Sequence, residues 1–379
     1  MSKIKVMEMI DRPSLGGGPK AVLLLAAGLD RSNFDVSVCS EPDGPLVREL
    51  GRLGIPHRPA SFGRKHWREN VAGIRRILRE ESVEILHTHG GVAGFFGRWA
   101  AHKNKTPVIV HTLHGIHYLH YRNPLFRRTY ILLERAFSRF TNKLILVSEA
   151  DGAQARRHRL APESKMAIIK NGMDLRGLPG SGDSGRMRSR LGLTSAAPLV
   201  GTVSRLHRQK GVVYLVRAAA QVREACPGVK VVCAGEGPLR AEMEQEIRKL
   251  GLEDTVILAG ETTEALPFIS ALDVFVLPSL WEGLPFVLIE AAALGKPIVA
   301  TTAEGNCEII TDGETGLLVP PRDPAALAGA VTRLLQDRTL AGRLAESART
   351  TIPPRFSLSG MIRQTEDLYL AAWGRRHFS

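Results

Sequence analysis

Residues 274–301, VFVLPSLWEGLPFVLIEAAALGKPIVAT, read as a strand, a loop, a helix and a second strand. VFVLPS and PIVAT are short, β-branched runs, and the stretch between them has the length and composition of a helix. Pro285 suits the first turn of that helix, where the N–H it lacks would have no partner in the helix. Strand, crossover helix and strand make the βαβ unit of a parallel sheet.

Outward from this unit the same rhythm runs in both directions. PLVGTVSRL, VKVVCAGEG and VILAG precede it and GLLVP follows it, separated by helical segments such as PLRAEMEQEIRKLG and DPAALAGAVTRLLQ. The first half carries KVMEMI, VSVCS, VEILHTH, PVIVHTLH and KLILVSE, each followed by a helix-length segment. The expectation is α/β, with two Rossmann-like parallel-sheet domains facing a central cleft. LRGLPGSGDSGRMRSR at 175–190 is rich in Gly, Ser and charge and lacks an apolar period, so it reads as the linker. The expected domains are 1–180, 181–355 and a helix at 356–379 crossing back to the first domain.

A chain of 379 residues is long enough for two cores. With 44% hydrophobic and 23% charged residues its composition is that of a soluble globular protein. No apolar run reaches bilayer length, and MSKIKVMEMI leads into a strand without a signal-peptide core, so the cytoplasm is the expected compartment. Cys39, Cys226, Cys233 and Cys307 show no CxxC spacing and read as buried thiols. The net charge of +13 is one-sided: residues 1–180 hold 29 Lys and Arg against 16 Asp and Glu, whereas 181–379 hold 22 of each. A basic first half points to an anionic partner, or else to a merely solvated face.

In open parallel sheets ligands bind at the carboxyl ends of the strands. Three constellations fall there. Gly16, Gly17 and Gly18 follow KVMEMI and would let backbone approach a ligand, though the run is not GxGxxG and VSVCS ends in Ser40 rather than in a ribose-binding acid. SRLHRQKG at 204–211 places Arg205 and Lys210 after a strand, two cations able to clamp a diphosphate; the bland alternative is a pair of solvated side chains. Glu282 stands in the loop before the Pro285 helix and Glu290 about a turn and a half into it, with apolar residues on both sides. A carboxylate in that setting is costly unless it is bound. It can accept from sugar or ribose hydroxyls while loop N–H groups meet anionic ligand.

These motifs resemble the family 4 glycosyltransferases, retaining enzymes of the GT-B fold. The resemblance is carried by SRLHRQKG, AGEGPLR, the E-x7-E segment and EGNCEIITDGETGLLVPPRDP, and more weakly by SLGGGPK, TLHGIHY, LILVSEAD and IIKNGMD. It implies that a hexose or related sugar moves from a nucleotide sugar to a hydroxyl of a saccharide or lipid-linked saccharide, as in bacterial polysaccharide biosynthesis. It also implies that Arg205 and Lys210 hold the donor diphosphate, Glu290 the ribose and Glu282 the transferred sugar. Gly17 or Gly18 matches the glycine loop near the donor, and His114 the histidine that contacts the sugar. One departure is that EGLPF stands where EGFGLP is common. Pro285 has no N–H, so backbone donors would come from Gly283, Leu284 and Phe286.

The chain has no Asp-x-Asp, so protein groups rather than a metal would neutralise charge, and the resemblance implies front-face displacement, with a UDP-sugar before a GDP-sugar as co-substrate and no cofactor. His87, His89, His111, His114, His117 and His120 tempt a metal reading, but no Cys or carboxylate beside them in sequence completes a zinc set. Segments 66–80 and 121–140 mix arginines with apolar and aromatic residues, which suits either a core-packed helix or one lying on an anionic leaflet at the inner face of the cell membrane. A GT-B-like nucleotide-sugar epimerase is the rival enzyme. A basic nucleic-acid-binding protein is a remoter rival, for which no recognition motif is present.

Overall fold

The computed structural model describes residues 3–14, 16–174, 178, 181–193 and 197–377. The chain divides into two compact units, residues 1–172 with 357–379, and residues 173–356.

The first unit is built on seven strands: β1 (Ile4–Ile10), β2 (Phe34–Ser40), β3 (His57–Pro59), β4 (Ile85–His89), β5 (Val108–Leu113), β6 (Lys143–Leu146) and β7 (Met166–Ile168). They pair in the order β3-β2-β1-β4-β5-β6-β7, all parallel. Successive side chains of a strand point to opposite faces, and helices cover both faces, so the strands are apolar almost throughout. Val6 and Ile10 of β1 join Val22, Ile85 and Val110 on one side. Met7 and Met9 join Ile74, Leu86, Phe96 and Ile109 on the other. The helix Leu358–His377 adds Met361, Leu368 and Tyr369 to the first side. Tyr369 is fully buried and meets Phe34 edge-on at 6.0 Å, a contact worth about 0.5–1.5 kcal/mol beyond burial.

The second unit carries β8 (Leu199–Val203), β9 (Lys230–Ala234), β10 (Val256–Gly260), β11 (Val274–Leu277), β12 (Ile298–Thr301) and β13 (Leu317–Val319). Their order is β10-β9-β8-β11-β12-β13, again all parallel. The 274–301 unit is β11, the helix Phe286–Ala293 and β12, with Pro285 as the residue that caps the helix. In both sheets the strand order reverses direction beside the first strand, between β1 and β4 and between β8 and β11. Such a switch point opens a crevice at the carboxyl ends, because the connections on either side depart in opposite directions.

The stretch 175–190 differs from its linker reading. Residues 175–177, 179 and 180 lie outside the described residues, but Ser181–Arg190 is a helix. Its anchors are few and partly polar. Met187 is buried, and Arg188 reaches the Asp273 carboxylate at 2.8 Å and the Ala271 carbonyl at 3.0 Å.

Candidate active site

In the second unit the loops that leave β8 and β11 meet at the switch point. The β8 loop passes Ser204 and Arg205, makes a short 3-10 turn at Arg208–Lys210, and enters the helix Val212–Ala225 through Gly211. Two hydrogen bonds tie it to the β11 loop: Leu280 N–H donates to the Gln209 carbonyl at 2.7 Å, and Gln209 Nε2 to the Trp281 carbonyl at 3.1 Å. The register brings Lys210 onto Glu282, Nζ to Oε1 at 2.6 Å. Ser279 Oγ donates to the same oxygen at 2.6 Å, and Gln209 Nε2 lies 3.4 Å from the other. The Glu282 side chain is 5% exposed and that of Lys210 17%, so the pair is well screened from solvent.

Sequence reasoning gave Lys210 and Glu282 separate partners; the structure joins them to each other. An ammonium has three N–H donors, and Glu282 takes one. Arg205 is exposed on the same loop. Glu290 lies inside the helix Phe286–Ala293 and is 4% exposed. Gly283, Leu284 and Phe286 are buried. Gly305 packs on the Glu282 loop so closely that an added Cβ would lie 2.1 Å from the Gly283 carbonyl oxygen.

In the first unit a second cluster gathers at the carboxyl ends of β1, β4 and β5. Gly17 and Gly18 form the first turn of the helix Gly17–Gly28. A Cβ at Gly18 would come within 3.3 Å of Ile10 and 3.5 Å of the His114 ring. His114 Nε2 lies 3.0 Å from His89 Nδ1, and the two rings are nearly parallel and edge to edge, with centroids 5.2 Å apart. His89 Nε2 lies 2.6 Å from Glu8 Oε2. Tyr369 O–H donates to Glu8 Oε1 at 2.7 Å, and His87 Nδ1 stands 2.5 Å from the Tyr369 oxygen. Parity explains the grouping, since Glu8 pairs in register with His87 and so shares its face of the sheet with His87 and His89.

Sequence reasoning missed Glu8 and Tyr369 here. Among the described residues Glu8, His87 and His89 are the group of three whose ligand atoms lie within 4.8 Å of one another, as a cation would require. Their donor and acceptor atoms are already engaged, because Thr112 Oγ1 also takes His87 Nε2 at 2.7 Å. Burial alone would raise the affinity of Glu8 for a proton, but His87 and His89 outweigh it and hold the carboxyl well below the usual range. Burial pushes His89 down to about 4 and His114 well below an ordinary histidine. His117 and His120 are exposed, and His111 is buried on the opposite face against Thr88.

Two parallel-sheet units, each with polar groups at its switch point, are the parts of a GT-B fold. Residues 15–176 match the family described as "Glycosyltransferase Family 4", and residues 197–337 the one described as "Glycosyl transferases group 1". The chain belongs to the family 4 glycosyltransferases. It is 31% identical over 307 residues to the alpha-D-kanosaminyltransferase of Streptomyces kanamyceticus, covering 78% of this chain and 79% of that one. It is 26% identical over 377 residues to the UDP-Gal:alpha-D-GlcNAc-diphosphoundecaprenol alpha-1,3-galactosyltransferase of Escherichia coli, covering 97% of each. The fold is shared with the crystal structure of Anabaena Alr3699/HepE in complex with UDP-glucose, with a TM-score of 0.87 at 23% identity over 97% of this chain and 100% of that one.

Proposed function

We propose that the chain is a retaining hexosyltransferase that moves a sugar from a UDP-sugar to a hydroxyl of a lipid-linked saccharide. The observation that carries this is the Lys210–Glu282 pair at the β8/β11 switch point, which sets a cation for diphosphate beside a carboxylate for sugar hydroxyls. The full-length similarity to the Escherichia coli galactosyltransferase supports the donor and acceptor classes.

Lys210 keeps two N–H donors for phosphate oxygens while the third holds Glu282, and Arg205 adds a planar fork beside it. Together they neutralise the charge that gathers on the departing diphosphate, which removes the need for a bound cation. Glu290 accepts from ribose hydroxyls and Glu282 from those of the sugar. The leaving phosphate takes the proton of the attacking hydroxyl on the same face, so the anomeric configuration is kept. The test is to incubate the protein with a UDP-hexose and undecaprenyl-diphosphate-linked GlcNAc and read the new anomeric proton by NMR. An α product from the α donor is expected. An inverted linkage, or a donor isomerised without acceptor, would overturn the proposal.

The acceptor's lipid places the enzyme at a membrane surface, as a peripheral protein on the cytoplasmic face. No helix among the described residues is long and apolar enough to cross a bilayer. The two basic segments part company. The helix Trp67–Glu80 turns Val71, Ile74 and Leu78 into the core, which leaves it a packed helix with a solvated side. The helix Pro124–Ser138 also buries Phe137, yet it exposes Leu125, Phe126, Leu132 and Leu133. Arg122, Arg127, Arg128, Arg135 and Arg139 are exposed around them. Apolar tips ringed by arginines suit an anionic leaflet. Co-sedimentation with phosphatidylglycerol vesicles should exceed that with neutral ones and fall with salt. Each Arg→Ser change should weaken it about fivefold, from about 1 kcal/mol per basic residue. Equal recovery on both vesicles would refute the docking face.

A further inference from the structure

The first-unit cluster has a direction. An ionised carboxylate only accepts hydrogen bonds, and Glu8 is ionised and fully buried. The proton between Glu8 Oε2 and His89 Nε2, 2.6 Å apart, therefore belongs to His89. His89 is neutral at physiological pH, since burial holds it down to about 4. With its one proton on Nε2, its Nδ1 is an acceptor. The proton in the 3.0 Å contact with His114 must then lie on His114 Nε2. That leaves His114 Nδ1 as a bare lone pair, and this buried atom has no hydrogen-bond partner among the described residues. A buried acceptor left unsatisfied costs about 1–3 kcal/mol, so its persistence beside the Gly18 helix turn suggests a ligand donor.

We propose that Glu8 and His89 are positioning residues that fix His114 as its Nε2–H tautomer, so that Nδ1 accepts a hydrogen bond from a hydroxyl of the transferred sugar. This rests on the reading that His114 meets the donor sugar. Tyr369 and Thr112 keep the relay one-way. Tyr369 O–H occupies Glu8 Oε1 at 2.7 Å and faces His87 Nδ1, and Thr112 Oγ1 closes the other side of His87. Glu8 cannot turn away from His89 without breaking those bonds. A sugar that offers an O–H donor to this atom is therefore favoured over its deoxy or O-methyl analogue, because only a donor satisfies the lone pair.

The decisive measurement is the imidazole nitrogen spectrum of 15N-histidine-labelled full-length protein, with His114 assigned by its loss in His114→Ala. Wild type should show a protonated Nε2 and an unprotonated Nδ1. Glu8→Gln can present an amide N–H to His89, which reverses both imidazoles and leaves a proton on His114 Nδ1. In that variant kcat should fall about 10- to 100-fold, as for partners that orient ligating imidazoles, while the KM for donor changes little. Should Glu8→Gln fold poorly, His89→Gln retains an acceptor for His114 and should keep more activity than His89→Leu. A wild-type His114 protonated on Nδ1, or a Glu8→Gln enzyme with unchanged tautomer and kcat, overturns the relay. If His114→Ala transfers sugar at the wild-type rate, the reading that His114 touches sugar falls instead.

Discussion

Replacing Lys210 by Ala should lower kcat/KM for sugar transfer by about 10²–10³-fold, the usual loss when one preorganised donor to developing charge is removed. The substitution acts twice, because Lys210 Nζ also donates to Glu282 Oε1 at 2.6 Å. Without it Glu282 keeps Ser279 Oγ at 2.6 Å and the longer Gln209 contact, and a carboxylate 5% exposed loses its cation. The expected structural cost is about 1–3 kcal/mol. Arg205→Ala separates the two effects, since Arg205 is exposed on the same loop. It should reduce transfer by a similar factor with an unchanged unfolding midpoint. UDP should raise the melting temperature of wild type by mass action, and both variants should lose most of that shift. If Lys210→Ala retains the full UDP shift and normal kcat, the cation does not serve the diphosphate.

The strands that sequence reading found are mainly apolar runs, most of them buried on both faces, and the structure contains every one of them. β3 and β7 escaped because each is a three-residue edge strand with no fully buried side chain; β13 is as short and also at an edge, but it buries Leu317 and Val319 and so reads as apolar. Ser181–Arg190 escaped for a different reason. Its anchor is a guanidinium on Asp273, 85 positions away, and nothing local marks Arg188 as other than a solvent cation. The second-unit site was legible because its residues lie in two contiguous loops whose positions after β8 and β11 follow from the strand pattern. What the pattern does not carry is pairing across loops, so the bond between Lys210 and Glu282 was hidden. The first-unit cluster was half legible. In VEILHTH, His87 and His89 alternate with Leu86 and Thr88, which places both histidines on one face. Glu8 interrupts the buried apolar run Val6–Ile10 of β1, a signal that a partner must exist. Its second partner, Tyr369, is 361 residues away and could come only from the fold.

Gly211→Ala should be among the most damaging single-methyl changes in the chain. Gly211 has φ +61°, the left-handed region, where a side chain costs about 1–2 kcal/mol. An added Cβ would also lie 2.0 Å from the Pro278 carbonyl oxygen. That atom is backbone at the end of β11 and cannot rotate aside, and forcing a methyl into such a contact costs roughly 1–3 kcal/mol more. The two loops that meet here are those joined by Leu280 N–H to the Gln209 carbonyl and by Lys210 to Glu282. Relieving the clash parts them, so folded protein should lose transfer as well as stability. Gly251→Ala is the control, with φ +59° and nothing among the described residues within 4 Å of its Cβ position, and it should show the backbone cost alone. Trp281 is the one tryptophan in residues 173–356, so its fluorescence in a variant with Trp67, Trp99 and Trp373 replaced by Phe reports unfolding of this unit. The midpoint for Gly211→Ala should fall by roughly 5–15 °C, given about 2–4 °C per kcal/mol at this size, and that for Gly251→Ala by clearly less. Equal shifts in the two variants would mean that the Pro278 contact yields without cost, and that the close approach of the two loops is not what sets Lys210 against Glu282.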